Sequence, residues 1–132
     1  MTDRVQGGDA FASSKGLVFP LKGAPGLNAA KAGSCHDLWV LGDDQGRVLS
    51  GRDLPALEAL ELDLRFGDLV LRAPGMMRLD IPVDVIEDDE SACAFWREEH
   101  SQVRLVDEGE LAAAWFSRWL GRPVRLLKRL PA

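Results

Sequence analysis

The run Ser34-Cys35-His36 places two nucleophilic side chains beside an imidazole, the pairing that acyl-transfer chemistry uses. Adjacent residues of an extended chain point to opposite faces, so closeness in sequence does not bring these groups together. The other histidine, His100, is far away, and the chain has no HExxH, GxSxG or clustered Cys/His motif. The sequence therefore predicts no self-sufficient catalytic centre, and we expect that the protein is not an enzyme by itself.

Two other groups of residues could bind a ligand. An acidic run over residues 84–90 could hold a divalent cation, but it lacks the glycine and ligand spacing of an EF-hand loop, which favours a solvated loop. The four tryptophans could stack a flat ring, but helical spacing of two of them favours a place in the core. They are Trp39, Trp96, Trp115 and Trp119. No metal site is predicted.

Composition predicts one globular domain, because the chain has 132 residues, of which 46% are hydrophobic and 28% charged. The formal net charge of −5 argues against nucleic acid as the main partner, since phosphate binding needs clustered cations. A local exception lies near the C-terminus, where basic side chains form either a solvated surface or a docking patch for an acidic partner. They are Arg118, Arg122, Arg125, Lys128 and Arg129.

The sequence favours a cytoplasmic protein without membrane association. No segment approaches the ~18 apolar residues of a membrane helix, and the polar N-terminus does not resemble a signal peptide. Cys35 and Cys93 are far apart and form no CxxC pair, so we expect free thiols. Residues 1–15 carry glycine, serine and charge without a period, which predicts a flexible arm before a domain at 16–132.

The clearest strand pattern lies in residues 59–73 (ALELDLRFGDLVLRA), where Leu60, Leu62, Leu64 and Phe66 share one face. We predict a hairpin with Gly67-Asp68 as its two-residue loop. The resulting register pairs Phe66 with Leu69, Leu64 with Leu71, and Asp63 with Arg72. The turn at Ala73-Pro74-Gly75 is typical of type II, and the next strand should direct Met77, Leu79 and Ile81 inward.

A change of period near Asp107 predicts a helix over residues 108–120. Asp107 would be its N-cap, and Glu110 would complete a capping box. The apolar stripe should consist of Leu111, Trp115 and Trp119, widened by Ala112 and Phe116. Gly121 should end the helix.

Together these patterns predict a mainly β fold: a small antiparallel β-barrel of about eight short strands, with one C-terminal amphipathic helix over one opening.

Four stretches of the chain resemble, in order, the motifs of MOSC N-terminal β-barrel domains, MOSC being the molybdenum-cofactor sulfurase C-terminal family. Residues 19–24 (FPLKGA) are similar to the family's YPVKSC. Residues 36–41 (HDLWVL) and 46–52 (GRVLSGR) are similar to its DRRWMVVD and the following GxFLTxR. Residues 69–76 (LVLRAPGM) match LxLxAPGM, and residues 107–126 end in LGRPVRL, as the family's domain does.

The resemblance implies a β-barrel that elsewhere precedes a catalytic MOSC domain holding the molybdenum-ligating cysteine. In the family, the Lys-Ser of the first motif and the first arginine of DRRW contact the phosphate side of the pterin cofactor. Here Lys22 is retained, Gly23 replaces the serine, and Asp37 replaces the arginine. The candidate cofactor-binding residues are therefore Lys22 and Arg52, and no catalytic residue is implied.

Two functions follow as expectations. The chain ends where the MOSC domain should start, so we expect a stand-alone, non-catalytic binding or accessory module that docks on a separate protein or holds a small ligand. The alternative is an enzyme component that completes a molybdenum-cofactor site in trans, with a separately encoded MOSC-domain protein as partner. Alone, the protein should bind no cofactor, because Asp37 puts a carboxylate where the family has a cation.

Overall fold

A computed structural model of the protein describes residues 16–28, 35–83 and 93–130. The predicted arm at 1–15 and the acidic run at 84–90 lie outside these residues, and so does Ser34. No helix among the described residues is long and apolar enough to cross a membrane.

The described residues form ten short strands, one α-helix and one 3-10 helix, so the mainly β class is confirmed. The strands are β1 (Leu17–Val18), β2 (Leu27–Asn28), β3 (Trp39–Asp43), β4 (Val48–Leu49), β5 (Glu61–Arg65), β6 (Asp68–Arg72), β7 (Leu79–Pro82), β8 (Cys93–Glu98), β9 (Ser101–Asp107) and β10 (Val124–Arg129). The α-helix is α1 (Glu110–Leu120), and the 3-10 helix spans Pro55–Ala59.

The central element is a five-stranded antiparallel sheet in the order β4-β3-β10-β9-β8. Its two ends approach each other, because the Arg97 N–H donates to the Gly46 carbonyl over 2.8 Å and Arg47 forms an isolated parallel bridge with Arg97. A two-stranded sheet, β1-β2, and a three-stranded sheet, β5-β6-β7, complete the topology. Among the described strands no continuous ladder closes a barrel.

Both faces of β3 are covered, and every residue of this strand is buried. One face packs on the main core with α1, the 3-10 helix and the three-stranded sheet; its largest fully buried members include Trp39 and Phe116. On the other face, side chains of the sheet itself form a smaller cluster of Val40, Val48, Leu105 and Leu127. Strands buried on both faces lack the polar alternation of a half-solvated sheet.

The hairpin forms, but our predicted register is wrong by two residues. The structure pairs Leu64 with Leu69, Leu62 with Leu71, Asp63 with Val70 and Glu61 with Arg72. The loop is Phe66-Gly67, both with positive φ (52° and 81°), as a type I′ turn requires. A shift of two keeps the leucines on their predicted face, but it moves Phe66 out of the strand, where it is 99% exposed.

The prediction for the strand after the type II turn is correct for two of its three inward residues. The turn is confirmed, because the Met76 N–H donates to the Ala73 carbonyl over 3.0 Å and Gly75 has φ 77°. Leu79 and Ile81 are buried, whereas Met77 is 84% exposed because β7 begins only at Leu79.

The predicted position of the helix and its end at Gly121 are confirmed, but the predicted N-cap is wrong. It begins at Glu110, later than predicted, because Glu108 is held outside it: its N–H donates to the Leu126 carbonyl. The N-cap is Gly109, without a side-chain cap, and Asp107 accepts the Gly109 N–H instead. Gly121 ends the helix with φ 71°, donating its N–H to the Ser117 carbonyl.

The buried stripe of α1 is rotated from the predicted one. Its buried residues are Ala112, Ala113, Trp115 and Phe116, whereas Leu111 is 75% exposed. Trp119 is half-buried and packs against the same core.

Candidate functional site

Lys22, Asp37, Glu98 and Arg129 form one connected cluster of ion pairs, here called the Glu98 network. Lys22 Nζ donates to Glu98 Oε2 over 2.7 Å. Arg129 Nη1 and Nη2 donate to the two oxygens of Glu98, each over 2.8 Å, and Nη2 also donates to Asp37 Oδ1 over 3.2 Å. The structure therefore brings together two of the positions that the resemblance singled out, Lys22 and Asp37.

Backbone hydrogen bonds hold these four residues in place. The Lys22 N–H donates to the Trp39 carbonyl over 3.0 Å, beside the parallel bridge between Leu21 and Trp39. The Asp37 N–H donates to the Phe19 carbonyl over 2.8 Å. Glu98 and Arg129 end β8 and β10, and the Arg129 N–H donates to the Leu38 carbonyl. Segments from both ends of the chain thus meet at this network.

The network is charge-balanced, because two cations face two carboxylates. Hydrogen bonds from Arg129 outweigh the opposing effect of burial and, with Lys22, lower the pKa of Glu98 to about 2. The hydrogen bonds from Glu98 raise the pKa of Arg129 in turn. The side chain of Glu98 is only 15% exposed, so its carboxylate occupies the space between the two cations. The ammonium group of Lys22 is consequently paired with a carboxylate of the protein itself, that of Glu98.

Gly23, which stands where the family has a serine, lies against Gly51. A Cβ at Gly23 would be 2.8 Å from Gly51 N and 2.9 Å from Leu57 Cδ1, and its φ of 95° disfavours any side chain. The loop between β1 and β2 and the loop after β4 therefore approach each other at a contact of two glycines. Lys22 precedes Gly23 and Arg52 follows Gly51, so this contact brings the backbones of the two candidate residues near each other.

We expect Gly23→Ser to destabilise the fold by about 2 kcal/mol or more, because it combines positive-φ strain with a backbone clash. Urea unfolding of the variant measures the loss. Gly75→Ser is the matched control, since Gly75 also has positive φ but no atom within 4 Å of the added Cβ. Equal losses in the two variants would show that strain alone acts and that the Gly51 contact is unimportant.

Arg52, the second candidate, does not join the network. It is exposed, and no ion pair links it to another described residue. Its neighbours Ser50 and Asp53 form a turn in which the Ser50 N–H and hydroxyl both donate to Asp53 Oδ2, and the Ser50 N–H bond is the main cause of the lowered pKa of Asp53. The role of Arg52 at a cofactor stays a prediction.

The basic C-terminal segment is largely used inside the protein. Arg125 pairs with Asp107 and Glu110, which raises the pKa of the guanidinium. Lys128 donates to the Val83 carbonyl and lies 5.8 Å from the centroid of the Trp39 ring. With Arg129 in the Glu98 network, three of the five cations of the predicted docking patch have internal partners.

The other candidate residues, a histidine, two cysteines and two tryptophans, are part of the structure of the domain. His36 Nδ1 accepts the Phe19 N–H over 3.0 Å, and Cys35 and Cys93 do not form a disulfide with each other, as predicted. Trp39 and Trp115 are buried, which confirms their core interpretation; Trp39 Nε1 donates to Glu108 Oε2 over 2.6 Å. Burial raises the pKa of Glu108. Within the described ranges, no group of three or more His, Cys, Asp or Glu is placed to hold a metal ion.

Sequence reasoning missed Glu98, and it singled out Arg129 only as part of the basic C-terminal group and not as a partner of Glu98. Each is separated from its partners by 31 to 92 residues, so no local spacing could have revealed the network. The sequence offers one indication of their role: each is a charged residue at the end of a predicted strand.

Comparison with known proteins places this fold. The chain is similar to molybdenum cofactor sulfurase of Danio rerio, with 27% identity over 124 residues that cover 87% of this chain and 15% of that protein. It is also 27% identical to molybdenum cofactor sulfurase of Bos taurus over 93 residues, covering 69% of this chain and 10% of that protein. The chain thus spans a small part of these relatives.

A solved structure shows the same fold over most of both chains. It is the solution structure of a Bordetella bronchiseptica protein that is known by its gene locus, with a TM-score of 0.76, 42% identity, and coverage of 87% of this chain and 88% of that one. The MOSC N-terminal beta barrel domain family matches residues 14–123. The chain therefore belongs to the MOSC N-terminal beta barrel domain family.

Proposed function

We propose that this domain is a non-catalytic binding module, which docks on a separate protein or holds a small ligand and does not itself hold a cofactor. The observation that carries the proposal is the Glu98 network. Lys22, the cation that the family resemblance assigns to cofactor phosphate, is paired with Glu98 inside a neutral cluster. An anion that approached Lys22 would meet the Glu98 carboxylate and the Asp37 carboxylate nearby.

Energetics supports the same proposal. A phosphate that displaced Glu98 would have to replace three charge-assisted hydrogen bonds, one from Lys22 and two from Arg129. Each such bond contributes about 1.5–3 kcal/mol. A serine hydroxyl at position 23 would add a donor, but the contact with Gly51 leaves no room for it. The domain alone should therefore have no useful affinity for the pterin cofactor.

The test is expression in a cofactor-producing host, followed by purification of the protein alone. We expect neither stoichiometric molybdenum nor pterin fluorescence after oxidation of the sample. A stoichiometric pterin signal would contradict the proposal. Co-expression with a separately encoded MOSC-domain protein forms the second arm, with co-purification as the readout of docking.

A second candidate is an enzyme component that completes a molybdenum-cofactor site in trans. It is favoured by the similarity to molybdenum cofactor sulfurase across most of the chain and by the exposure of Arg52. Lys22→Met separates the two candidates in the co-purified complex, with Arg78→Met as the control that breaks a surface ion pair with Asp80. A fall in molybdenum content for Lys22→Met alone would favour the enzyme component, whereas equal content in both variants supports the docking module.

Nucleic acid and membranes are not among the partners that we propose, and we propose a cytoplasmic location. These statements rest on the net charge of −5 and on the sequence patterns.

A further inference from the structure

A groove of about 470 Å³ opens between α1, the turn that joins β3 to β4, and the start of β10. None of the four residues of the Glu98 network lines it. Its volume lies within the roughly 300–1,000 Å³ that small-molecule sites occupy. The groove is therefore a second region in which a ligand could bind.

Trp96 gives the groove an aromatic wall. The indole lies against the bare backbone of β3, because a Cβ on Gly42 would be 2.5 Å from Trp96 Cζ3 and 2.8 Å from Leu127 Cδ1. The next residue, Arg97, donates its N–H to the Gly46 carbonyl, which holds this part of β8 beside the β3–β4 turn. Glycine inside a strand commonly marks such a close approach. The half-buried ring is thus held in one place, with the groove on its open side.

The charges of the groove are unbalanced. Among the described residues, Asp43, Asp44 and Glu110 line it with Arg125 as the one lining cation, a net charge of −2. Arg125 is already bound by Asp107 and Glu110. Asp43 is also engaged, by the N–H groups of Gln45 and Arg47 and by the Arg47 guanidinium, whose Nε lies 3.4 Å from Asp43 Oδ2. The carboxylates with room for a ligand are Asp44, which is exposed, and Glu110, whose side chain is 89% exposed and accepts from Arg125 through Oε2.

We propose that this groove binds a small organic amine. Its ammonium group lies between Asp44 and Glu110, and its apolar body packs against Trp96 and Ala114. An indole face and carboxylates together attract an organic cation, whereas an anion would be repelled and a neutral alcohol could donate only a hydrogen bond to a carboxylate, without the attraction between opposite charges. A metal ion fits less well, because no described group of three or more ligating side chains converges there.

The experiment is an NMR titration of the full chain with 2-phenylethylammonium, followed at the Trp96 indole N–H and the amides of Gly46 and Ala114. Two probes of similar shape, 2-phenylethanol and 3-phenylpropanoate, supply the neutral and anionic comparisons at equal ionic strength. We expect saturable shifts for the amine, binding at least tenfold weaker for the alcohol, and no saturable shift for the carboxylate.

The double variant Asp44→Asn/Glu110→Gln should weaken binding of the amine at least tenfold. Glu58→Gln, an exposed carboxylate outside the groove, should leave it unchanged. Ala114→Leu, which fills the groove without changing charge, should also weaken it, and unchanged backbone spectra of all variants would confirm their folds. Equal affinity for amine and alcohol, shifts that map elsewhere, or full binding by the double variant would each overturn the proposal.

Discussion

Trp115→Ala should lower the free energy of unfolding by about 3–5 kcal/mol, the range for truncation of a buried aromatic side chain. Trp115 is 8% exposed, and its ring meets that of Phe116 edge-on with centroids 4.9 Å apart. Its indole Nε1 also donates to the Met77 carbonyl over 2.7 Å. The substitution therefore opens a cavity and removes the bond that ties α1 to the segment before β7.

Urea unfolding followed by far-UV circular dichroism measures this loss. Leu111→Ala is the control on the same helix, because Leu111 is 75% exposed and its truncation should change stability by less than about 0.5 kcal/mol. A loss for Trp115→Ala as small as that of the Leu111→Ala control would show that the indole is not a core residue. The stacking interpretation of the tryptophans would then return.

Acidification should destabilise the protein through Glu98 more than through any exposed carboxyl. Its pKa is about 2 in the folded protein and near 4.5 in the unfolded chain, so the folded state favours the carboxylate. The difference corresponds to about 3 kcal/mol of stability at neutral pH. This contribution is fully present above about pH 5 and is lost as the pH falls from 4.5 toward 2.

The measurement compares urea unfolding at pH 7 and pH 3 for the native protein and for Glu98→Gln. The variant should be less stable at pH 7, because Lys22 and Arg129 lose their shared anion. Between pH 7 and pH 3, the free energy of unfolding of the variant should fall by about 2 kcal/mol less than that of the native protein. Glu58→Gln should keep the pH dependence of the native protein. Parallel curves for the native protein and Glu98→Gln would show that Glu98 does not stabilise the folded state.

The hairpin shows how far the sequence determines local structure. Alternation predicted the two strands and the face of each leucine, since those depend on a period of two. It could not choose between registers that differ by two residues, because both bury the same leucines. The choice depended on Phe66 adopting positive φ, a conformation that an aromatic residue rarely takes.

The helix shows a second limit. Its apolar content and Gly121 predicted its place and its end, but the sequence did not reveal that Arg125 would bind Asp107 and Glu110. That pairing removes both carboxylates from the capping box. Helix capping is predicted from neighbouring residues in the sequence, whereas here Arg125 of β10 competes for the capping carboxylates.

The site was the least predictable part. The family motifs singled out Lys22 and Gly23 as positions, but not what they contact. Glu98 lies 76 residues from Lys22, and Gly51 reaches Gly23 from a different loop. Only the folded chain shows that a carboxylate and a glycine complete these positions.

The place of β10 in the five-stranded sheet has a consequence for how the domain is made. It is the last of the described strands along the chain, yet it pairs with β3 on one side and β9 on the other. Until β10 leaves the ribosome, β3 and β9 have no shared neighbour, and β3 is paired only with the two-residue strand β4. Pairings of such high sequence separation also form slowly. We therefore expect this domain to acquire its fold only after β10 has been translated, and to depend until then on whatever shields its nascent β3 from aggregation.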